Sequence, residues 1–422
     1  MKERKKENLN WIKLDNASKI FPATYTNRDT KVFRISVELN DYVDKDILQA
    51  SIDEAVEYFP IFNYVLRRGV FWYYFEYSNQ KPKVEIESIP LCAPLYDKEK
   101  KNLLYRVSYF NKRINLEVFH ALTDGAGVVW FMETIVHLYL TKKYTSDFYG
   151  KDLKLRHKAA ISQMMDDSFA KYYSKEKITQ NDDKKLRKAY QIKESFTEEN
   201  ITKLIEGTMS TKKVIDLSHK YNTTVTIFLT SLLIYSIIED MPHKSKNLPV
   251  VISVPINLRQ YFKSYTARNF FSTMNIKYIP TAEDSLEKIV KFVSESFKSE
   301  LTKEKLNHHL NKLISIEKNP LTRIIPLPIK DLALKFANKL TDRGITSSFS
   351  NVGKIELPHE FEPYVNQFSI CVSARRPQIV MCSYRDKLVI CFTSPFKETD
   401  IQRNFFTFLT ENGIEIEITS NF

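Results

Sequence analysis

His120, Asp124 and Gly125 form the pattern H-x-x-x-D-G directly after a predicted strand, Ile114–Phe119. A histidine at the end of a strand can act as a general base when its imidazole is neutral and its tautomer is fixed. A carboxylate four residues later can fix the loop that carries it. With eight histidines and eight glycines in 422 residues, about 0.01 such matches are expected from composition. The pattern therefore indicates base catalysis, and the alternative is a buried histidine beside a helix cap at Asp124.

Glycine is too scarce in this chain for the loops that cradle nucleotide phosphates. No G-x-x-x-x-G-K-[ST] sequence occurs, and the G-x-G formed by Gly125 and Gly127 has Trp130 where a dinucleotide fingerprint needs a third glycine. A P-loop NTPase and a Rossmann dehydrogenase are thereby excluded. Gly69 is expected to supply a positive φ in a hairpin turn. Four scattered cysteines without a C-x-x-C pair predict reduced thiols and no metal site: Cys92, Cys371, Cys382 and Cys391.

An excess of positive charge is spread over the chain. The 63 Lys and Arg residues outnumber the 51 Asp and Glu residues by 12, which suits nucleic acid, an anionic membrane surface or a phosphorylated ligand. Because the lysines are mixed with acids and no nucleic-acid signature occurs, we expect a solvated surface and no specific nucleic-acid partner. The chain has no apolar run of about 18 residues, so we expect no membrane span. The basic start MKERKKENLN has no apolar stretch after it, so we expect no secretory signal and a cytoplasmic protein.

Hydrophobic periodicity predicts alternating strands and helices in both halves of the chain. Asp44 caps a predicted helix that ends at Tyr58, and an apolar helix, Ala126–Leu140, follows the H-x-x-x-D-G loop. The second half contains one long amphipathic helix over Ser285–Leu310. It ends in a predicted three-stranded meander followed by a phenylalanine-rich helix. The meander strands are Phe368–Ser373, Gln378–Tyr384 and Lys387–Phe392.

The length of the chain is typical of two domains. We predict an N-terminal domain over residues 1–150, a charged crossover over residues 151–210 and a C-terminal domain over residues 211–422. Both domains are expected to be of the α/β class.

Several segments together resemble the CoA-dependent acyltransferase superfamily, which includes chloramphenicol acetyltransferase, plant acyltransferases and nonribosomal-peptide condensation domains. The chain is most similar to its bacterial alcohol acetyltransferase-like proteins. Phe119 stands where the superfamily often has a first histidine, a departure tolerated in that group, and the plant-type D-F-G-W-G motif is absent. Besides H-x-x-x-D-G, the resemblance rests on Trp11–Asn16, Val254–Arg259, Arg268–Phe271, Ser350–Gly353 and Ser383-Tyr384.

The resemblance implies two chloramphenicol-acetyltransferase-like α/β sandwich domains that form a pseudo-dimer with a tunnel at their interface. It implies that His120 takes a proton from an acceptor hydroxyl as the hydroxyl attacks an acyl-CoA thioester, without an acyl-enzyme. Acyl-CoA is then a co-substrate, and no cofactor is bound permanently. The expected acceptor is a small alcohol or amine, and the expected oligomeric state is a monomer.

The resemblance also assigns roles to other residues. Asp124 is expected to be structural and to pair with Arg259, for which an ordinary surface arginine is the open alternative. Thr266 and Asn269 are candidate donors to the oxyanion. Gly125 is expected to let the chain turn tightly beside the thioester.

Two other functions stay open at this stage. One is a condensation-type enzyme that makes an ester or amide from a carrier-bound acyl group. The other is a catalytically inactive relative that binds a ligand. The aromatic run Phe71–Phe75 fits either an acceptor-binding wall or a core strand, and no motif marks the residues that contact the CoA phosphates.

Overall fold

A computed structural model describes residues 10–157, 159–174, 188–198 and 201–422. Nearly all of the basic start and part of the predicted crossover lie outside the described residues.

The strands belong to three sheets. The smallest sheet has the order β1-β4-β3, the five-stranded sheet β12-β2-β7-β6-β5, and the seven-stranded sheet β10-β9-β11-β13-β14-β8-β15. The strands are β1 (Trp11–Lys13), β2 (Val32–Leu39), β3 (Tyr64–Arg68), β4 (Tyr73–Tyr77), β5 (Glu85–Ile86), β6 (Tyr105–Phe110), β7 (Arg113–Phe119), β8 (Lys203–Ser210), β9 (Val250–Asn257), β10 (Phe271–Tyr278), β11 (Ser347–Ile355), β12 (Val365–Val372), β13 (Gln378–Tyr384), β14 (Lys387–Ser394) and β15 (Ile416–Ser420).

Helices flank the two larger sheets. Helices α2 and α3 share the apolar core of the five-stranded sheet, and α8, α9 and α13 share that of the seven-stranded sheet. The helices are α1 (Ile20–Thr24), α2 (Lys45–Tyr58), α3 (Gly125–Lys143), α4 (Thr145–Phe148), α5 (Ile161–Met164), α6 (Ser168–Lys171), α7 (Thr211–Lys220), α8 (Val225–Asp240), α9 (Leu286–Glu300), α10 (Lys303–Lys318), α11 (Pro320–Ile324), α12 (Leu327–Asp342) and α13 (Asp400–Glu411).

Local sequence explains where the site-bearing elements begin and end. The Asp44 carboxylate accepts hydrogen bonds from the N–H groups of Asp46 and Ile47 and so caps α2 as predicted. Strand β7 pairs with β2 on one side and β6 on the other, and both pairings are antiparallel. Helix α3 is apolar over most of its surface, and 13 of its 19 residues are buried.

Strands β13 and β14 of the seven-stranded sheet are buried on both faces of that sheet. Alternate side chains of these strands, such as Cys382 and Val389, join the apolar core that α2 and α3 share. Met381 and Ile390 join the core that α8, α9 and α13 share. Successive residues of a strand point to opposite faces. The nearly continuous apolar sequence of the two strands follows from this double burial.

The three-stranded meander predicted near the C-terminal end does not form. Strand β12 pairs antiparallel with β2 of the five-stranded sheet, while β13 and β14 pair with each other in the seven-stranded sheet. Sequential neighbours are therefore separated into two sheets. A strand from the second half thereby completes the sheet that carries β7.

Three further expectations differ from the structure. The single helix predicted over Ser285–Leu310 is two helices, because Thr302 caps α10 after α9 has ended. Gly69 does not have a positive φ; it is needed because a Cβ there would lie 2.9 Å from the Trp72 carbonyl oxygen. Helix α12, which the sequence analysis missed, lies mostly on the surface.

The domain limits 1–150, 151–210 and 211–422 stay a prediction. Sheet membership does not follow them, since β8 lies in the seven-stranded sheet and β12 in the five-stranded sheet. Among the described residues no single helix has the length and apolar character that a membrane span requires; helices α7 and α8, bent by 76°, meet that criterion only as a pair.

Candidate active site

His120 lies directly after β7, where the two halves of the chain meet. Its backbone N–H donates to the Lys31 carbonyl (2.8 Å), just before β2 begins. Its ring stacks on Phe21 of α1, with ring centroids 4.5 Å apart. Phe33 of β2 and Phe271 of β10 lie against it, at 5.0 and 5.5 Å. Three aromatic rings therefore fix the orientation of the imidazole, and one of them comes from the second half.

The surroundings of His120 favour the neutral imidazole. Burial lowers the pKa of His120 below its usual value of 6.5, whereas its own carbonyl group and Asp124 act less strongly in the opposite direction. Nδ1 is buried without a well-formed hydrogen bond, although the residue as a whole is partly exposed. Nε2 is therefore the ring nitrogen that a reactant can reach. It accepts a proton when the tautomer carries its hydrogen on Nδ1.

Asp124 connects the two halves through one carboxylate. Oδ1 accepts a hydrogen bond from the N–H of Gly127 (3.1 Å) and so caps α3. Oδ2 accepts from the N–H of Phe270 (2.8 Å) and from Nη1 of Arg259 (2.8 Å). The side chains of Asp124 and Arg259 are only 6 % and 7 % exposed, so this ion pair is buried. Both carboxylate oxygens are thus engaged with protein groups.

Arg259 ties this ion pair to the segment that precedes β10. Its Nε and Nη2 donate to the Thr266 carbonyl (3.1 and 2.9 Å), and Nη2 also donates to the Arg268 carbonyl (2.6 Å). The guanidinium carbon lies 5.4 Å from the ring centroid of Trp130 in α3. A guanidinium suits this set of acceptors because its five donors are held in one plane. The structure therefore places Arg259 inside the protein against Asp124 and not on the surface.

Thr266 and Asn269 form hydrogen bonds within the protein, and their role as oxyanion donors stays a prediction. The Thr266 hydroxyl donates to the Asp166 carbonyl (2.7 Å). Nδ2 of Asn269 lies 3.0 Å from both the His120 carbonyl and Ser18 Oγ, and 3.3 Å from the carbonyl of the residue after His120. Three acceptors therefore share the two amide hydrogens of Asn269. Asn269 thereby holds the backbone of the His120 loop.

Gly127, and not Gly125, lies where the second half of the chain leaves no room for a Cβ. A Cβ at residue 127 would lie 2.3 Å from the Ala267 carbonyl oxygen and 2.1 Å from Oγ1 of Thr123. The Thr123 hydroxyl donates to that same carbonyl. A Cβ at residue 125 would meet Val352 at 3.7 Å, an ordinary contact. The contact between backbones therefore requires glycine at 127.

Asp15 and Ser18 bring the start of the described chain to the same place. Oδ1 of Asp15 accepts from the N–H and hydroxyl of Ser18 (2.8 and 2.7 Å). Burial raises the pKa of Asp15 to about 6, although Arg268, whose Nη2 is 3.7 Å from Oδ2, opposes this shift. Nη2 of Arg268 also donates to the Lys13 carbonyl (2.6 Å). Two segments that carry the resemblance, Trp11–Asn16 and Arg268–Phe271, therefore meet beside His120. The sequence analysis did not predict this contact.

The described residues assign no cofactor ligands. No group of three His, Cys, Asp or Glu side chains in these ranges is placed to hold a metal ion. Lys31, beside His120, forms an ion pair with Asp29, and Arg268 is engaged as described above.

Comparison with known proteins gives matches in structure but not in sequence. No protein-family model matches the chain, and no curated protein matches it by sequence. Polyketide synthase associated protein 5 from Mycobacterium tuberculosis matches with a TM-score of 0.64 and 12% identity, over 95% of this chain and 97% of that chain.

Two further structures, an acetyltransferase and a domain with bound C8-CoA, match equally far along the chain. Trichothecene 15-O-acetyltransferase from Fusarium sporotrichioides has a TM-score of 0.61 and 11% identity, over 95% of this chain and 94% of that chain. The starter condensation domain of rhizomide synthetase, in complex with C8-CoA, has a TM-score of 0.61 and 10% identity, over 97% of this chain and 98% of that chain. The chain therefore has the two-lobed fold of CoA-dependent acyltransferases and condensation domains, which confirms the predicted fold class.

Gly127→Ala is expected to destabilise the protein far more than Gly125→Ala. The new methyl group at 127 overlaps the Ala267 carbonyl and forces the halves apart, whereas at 125 it has room. We expect Gly127→Ala to lower the free energy of unfolding in urea by about 2 kcal/mol or more. We expect Gly125→Ala to change it by less than about 0.5 kcal/mol. Equal effects of the two substitutions would show that the close approach at 127 is not required.

Proposed function

We propose that this protein transfers an acyl group, acetyl or another short chain, from CoA to the hydroxyl group of a small alcohol. The observation that carries the proposal is the state of His120. Its imidazole is kept neutral by burial, oriented by aromatic rings and supported from the second half through Asp124 and Asn269. A neutral, oriented and reachable imidazole is what general-base catalysis requires.

The proposed reaction is a direct transfer between two bound substrates. Nε2 of His120 takes the hydroxyl proton while the hydroxyl oxygen forms a bond to the thioester carbonyl carbon. The tetrahedral intermediate then breaks its C–S bond, and the imidazolium gives the proton to the departing CoA thiolate. The products are an ester and free CoA, and no acyl-enzyme forms. An amine acceptor reacts in the same way and gives an amide.

The structural comparisons support acyl transfer. Two acyl donors remain to be distinguished by experiment, acyl-CoA and a carrier-bound acyl group. Trichothecene 15-O-acetyltransferase is named for O-acetyl transfer, and the rhizomide starter condensation domain binds C8-CoA in its structure. The first supports a hydroxyl acceptor, and the bound C8-CoA of the second favours acyl-CoA as co-substrate. Other condensation domains among the matches, such as the first one of the CDA synthetase, favour the second candidate, transfer from a carrier-bound acyl group.

The proposal also covers the cellular compartment, the oligomeric state and the access to His120. The four cysteines are buried free thiols, which supports a reducing compartment such as the cytoplasm. We propose a monomer whose two domains, 1–150 and 211–422, bound a channel to His120 that admits acyl-CoA from one side and the acceptor from the other.

His120→Ala is expected to abolish most of the acyl transfer, because it removes the proposed general base. The assay follows release of the CoA thiol from acetyl-CoA across a panel of alcohols and amines. We expect a loss of about 10²- to 10⁴-fold in kcat/KM. His359→Ala serves as the matched control, since the His359 side chain is 85% exposed and should leave the rate unchanged.

The same assay separates the alternatives. Full activity of His120→Ala would overturn the role of the base. Turnover with an acyl-carrier-protein thioester but not with free acyl-CoA would identify the condensation-type enzyme. Ligand binding without turnover of either donor would identify an inactive relative.

The rate of acyl transfer is expected to fall at acid pH. Because the pKa of His120 is lowered from 6.5 by burial, the base is neutral at pH 7 and becomes protonated only below its normal range. The profile of kcat/KM against pH should therefore be flat above about pH 7 and fall with a midpoint below about 6.5. A midpoint above pH 7 would contradict the account.

A second group with a shifted pKa requires a control in this experiment. The pKa of Asp15 is raised to about 6 by burial, close to the expected midpoint. Asp15→Asn removes that titration. If His120 causes the fall in rate, the midpoint should remain in the Asp15→Asn variant. Loss of the fall in that variant would assign it to Asp15.

A further inference from the structure

Helix α12 carries four large apolar side chains on the face that points away from the protein. Ile329, Leu332, Phe336 and Leu340 are 58%, 70%, 64% and 39% exposed, and their spacing of three and four residues places them on one side of the helix. A surface helix of a globular protein normally turns its apolar side inward. These four side chains of α12 depart from that rule, although Leu327 at the start of the helix is buried.

Polar contacts on the inner face hold α12 in this orientation. Asp331 is buried, and its Oδ2 accepts a hydrogen bond from the Tyr73 hydroxyl (2.7 Å) and lies 3.6 Å from Nη2 of Arg68. At the other end of the helix, Asp342 forms ion pairs with Arg375 and Arg376. Rolling the helix inward would break these contacts. The outward apolar face is thus a stable feature of the fold.

The tip of the β3–β4 hairpin extends this apolar face. Val70, Phe71 and Trp72 are 71%, 38% and 49% exposed. The Val70 carbonyl accepts from the N–H of Leu327 (2.8 Å), and the Phe71 carbonyl accepts from Nζ of Lys330 (2.8 Å). The hairpin tip and the start of α12 are therefore fastened together. We refer to Val70–Trp72 with Ile329, Leu332, Phe336 and Leu340 as the α12 patch.

Lysines border the apolar face of α12 on both sides. On a helical projection, Lys335 and Lys339 lie on one side of the apolar stripe and Lys330 on the other. Both acids of the helix, Asp331 and Asp342, lie on the inner face and are paired. The outer half of α12 is therefore apolar in the centre and basic at its edges. Helices that lie in the interface of an anionic bilayer have this distribution.

We propose that the α12 patch binds the surface of an anionic lipid membrane. Apolar side chains that project from the surface can enter a deformable acyl layer, while Lys335 and Lys339 contact lipid phosphates. Trp72 and Phe71 at the hairpin tip are residue types that partition into the interface. The formal net charge of the chain, +12, attracts it to the same surface.

Helix α1 connects α12 to one wall of the candidate active site. Helix α12 packs against α1, and Phe21 of α1 stacks on the His120 ring. Membrane binding through α12 therefore brings the lipid surface close to this wall. The binding itself does not depend on the proposed acyl transfer and is tested without an activity assay.

Vesicle co-sedimentation of the full chain tests the proposal. The vesicles contain phosphatidylcholine alone or phosphatidylcholine with phosphatidylglycerol. The wild-type protein should bind the mixed vesicles at least about tenfold more tightly, and high salt should weaken this binding. The variant L332E/F336E should lose about tenfold or more of the affinity. The control I86E/F110E changes the charge equally at two apolar side chains that are 61% and 55% exposed outside the patch, and it should retain most of the binding.

Three results would overturn the proposal. The first is absence of wild-type binding to either kind of vesicle. The second is an equal loss of binding in L332E/F336E and I86E/F110E, which would mean that net charge alone determines it. The third is a concentration-dependent dimer in light scattering that L332E/F336E abolishes, together with no vesicle binding, since the patch would then bind a second copy of the chain.

Discussion

The buried ion pair between Asp124 and Arg259 is the interaction on which the candidate site depends. The Asp124 carboxylate caps α3 on one side and accepts from the second half on the other. The Arg259 guanidinium reaches the carbonyls of the segment that precedes β10. Burial of two charges is costly, so each needs the other and its remaining hydrogen bonds. The pair therefore makes the loop of His120 and the segment before β10 one structural unit.

This unit explains the properties of His120. Once the segment before β10 is in place, Asn269 holds the His120 carbonyl and Phe271 closes one side of the imidazole. Phe21 and Phe33 close the others. The resulting burial keeps the ring neutral and exposes it only in part. A base assembled from both halves can serve two substrates that enter between them, which is the physical basis of the proposed acyl transfer.

Much of this arrangement is predictable from local sequence, and the remainder depends on long-range pairing. The cap at Asp44, the strand before His120 and the apolar α3 follow from periodicity and capping. The pairing of β12 with β2 of the five-stranded sheet does not follow from them, because a strand pattern carries no information about its partner strand. The need for glycine at 127 was likewise hidden, since it arises from the Ala267 carbonyl far along the chain. Thr266 and Asn269 have the right chemistry for an oxyanion, but their hydrogen bonds to backbone carbonyls depend on segments far along the chain.

A double-mutant cycle on the buried ion pair tests the central claim most directly. The free energy of unfolding in urea is measured for Asp124→Asn, Arg259→Gln and the double variant. We predict a cost of about 3–5 kcal/mol for each single change, because each leaves its partner buried without a counter-charge. The double variant should lose less than the sum by about 1.5 kcal/mol or more. Costs that add to within about 0.5 kcal/mol would contradict the claim that this pair joins the two halves around His120.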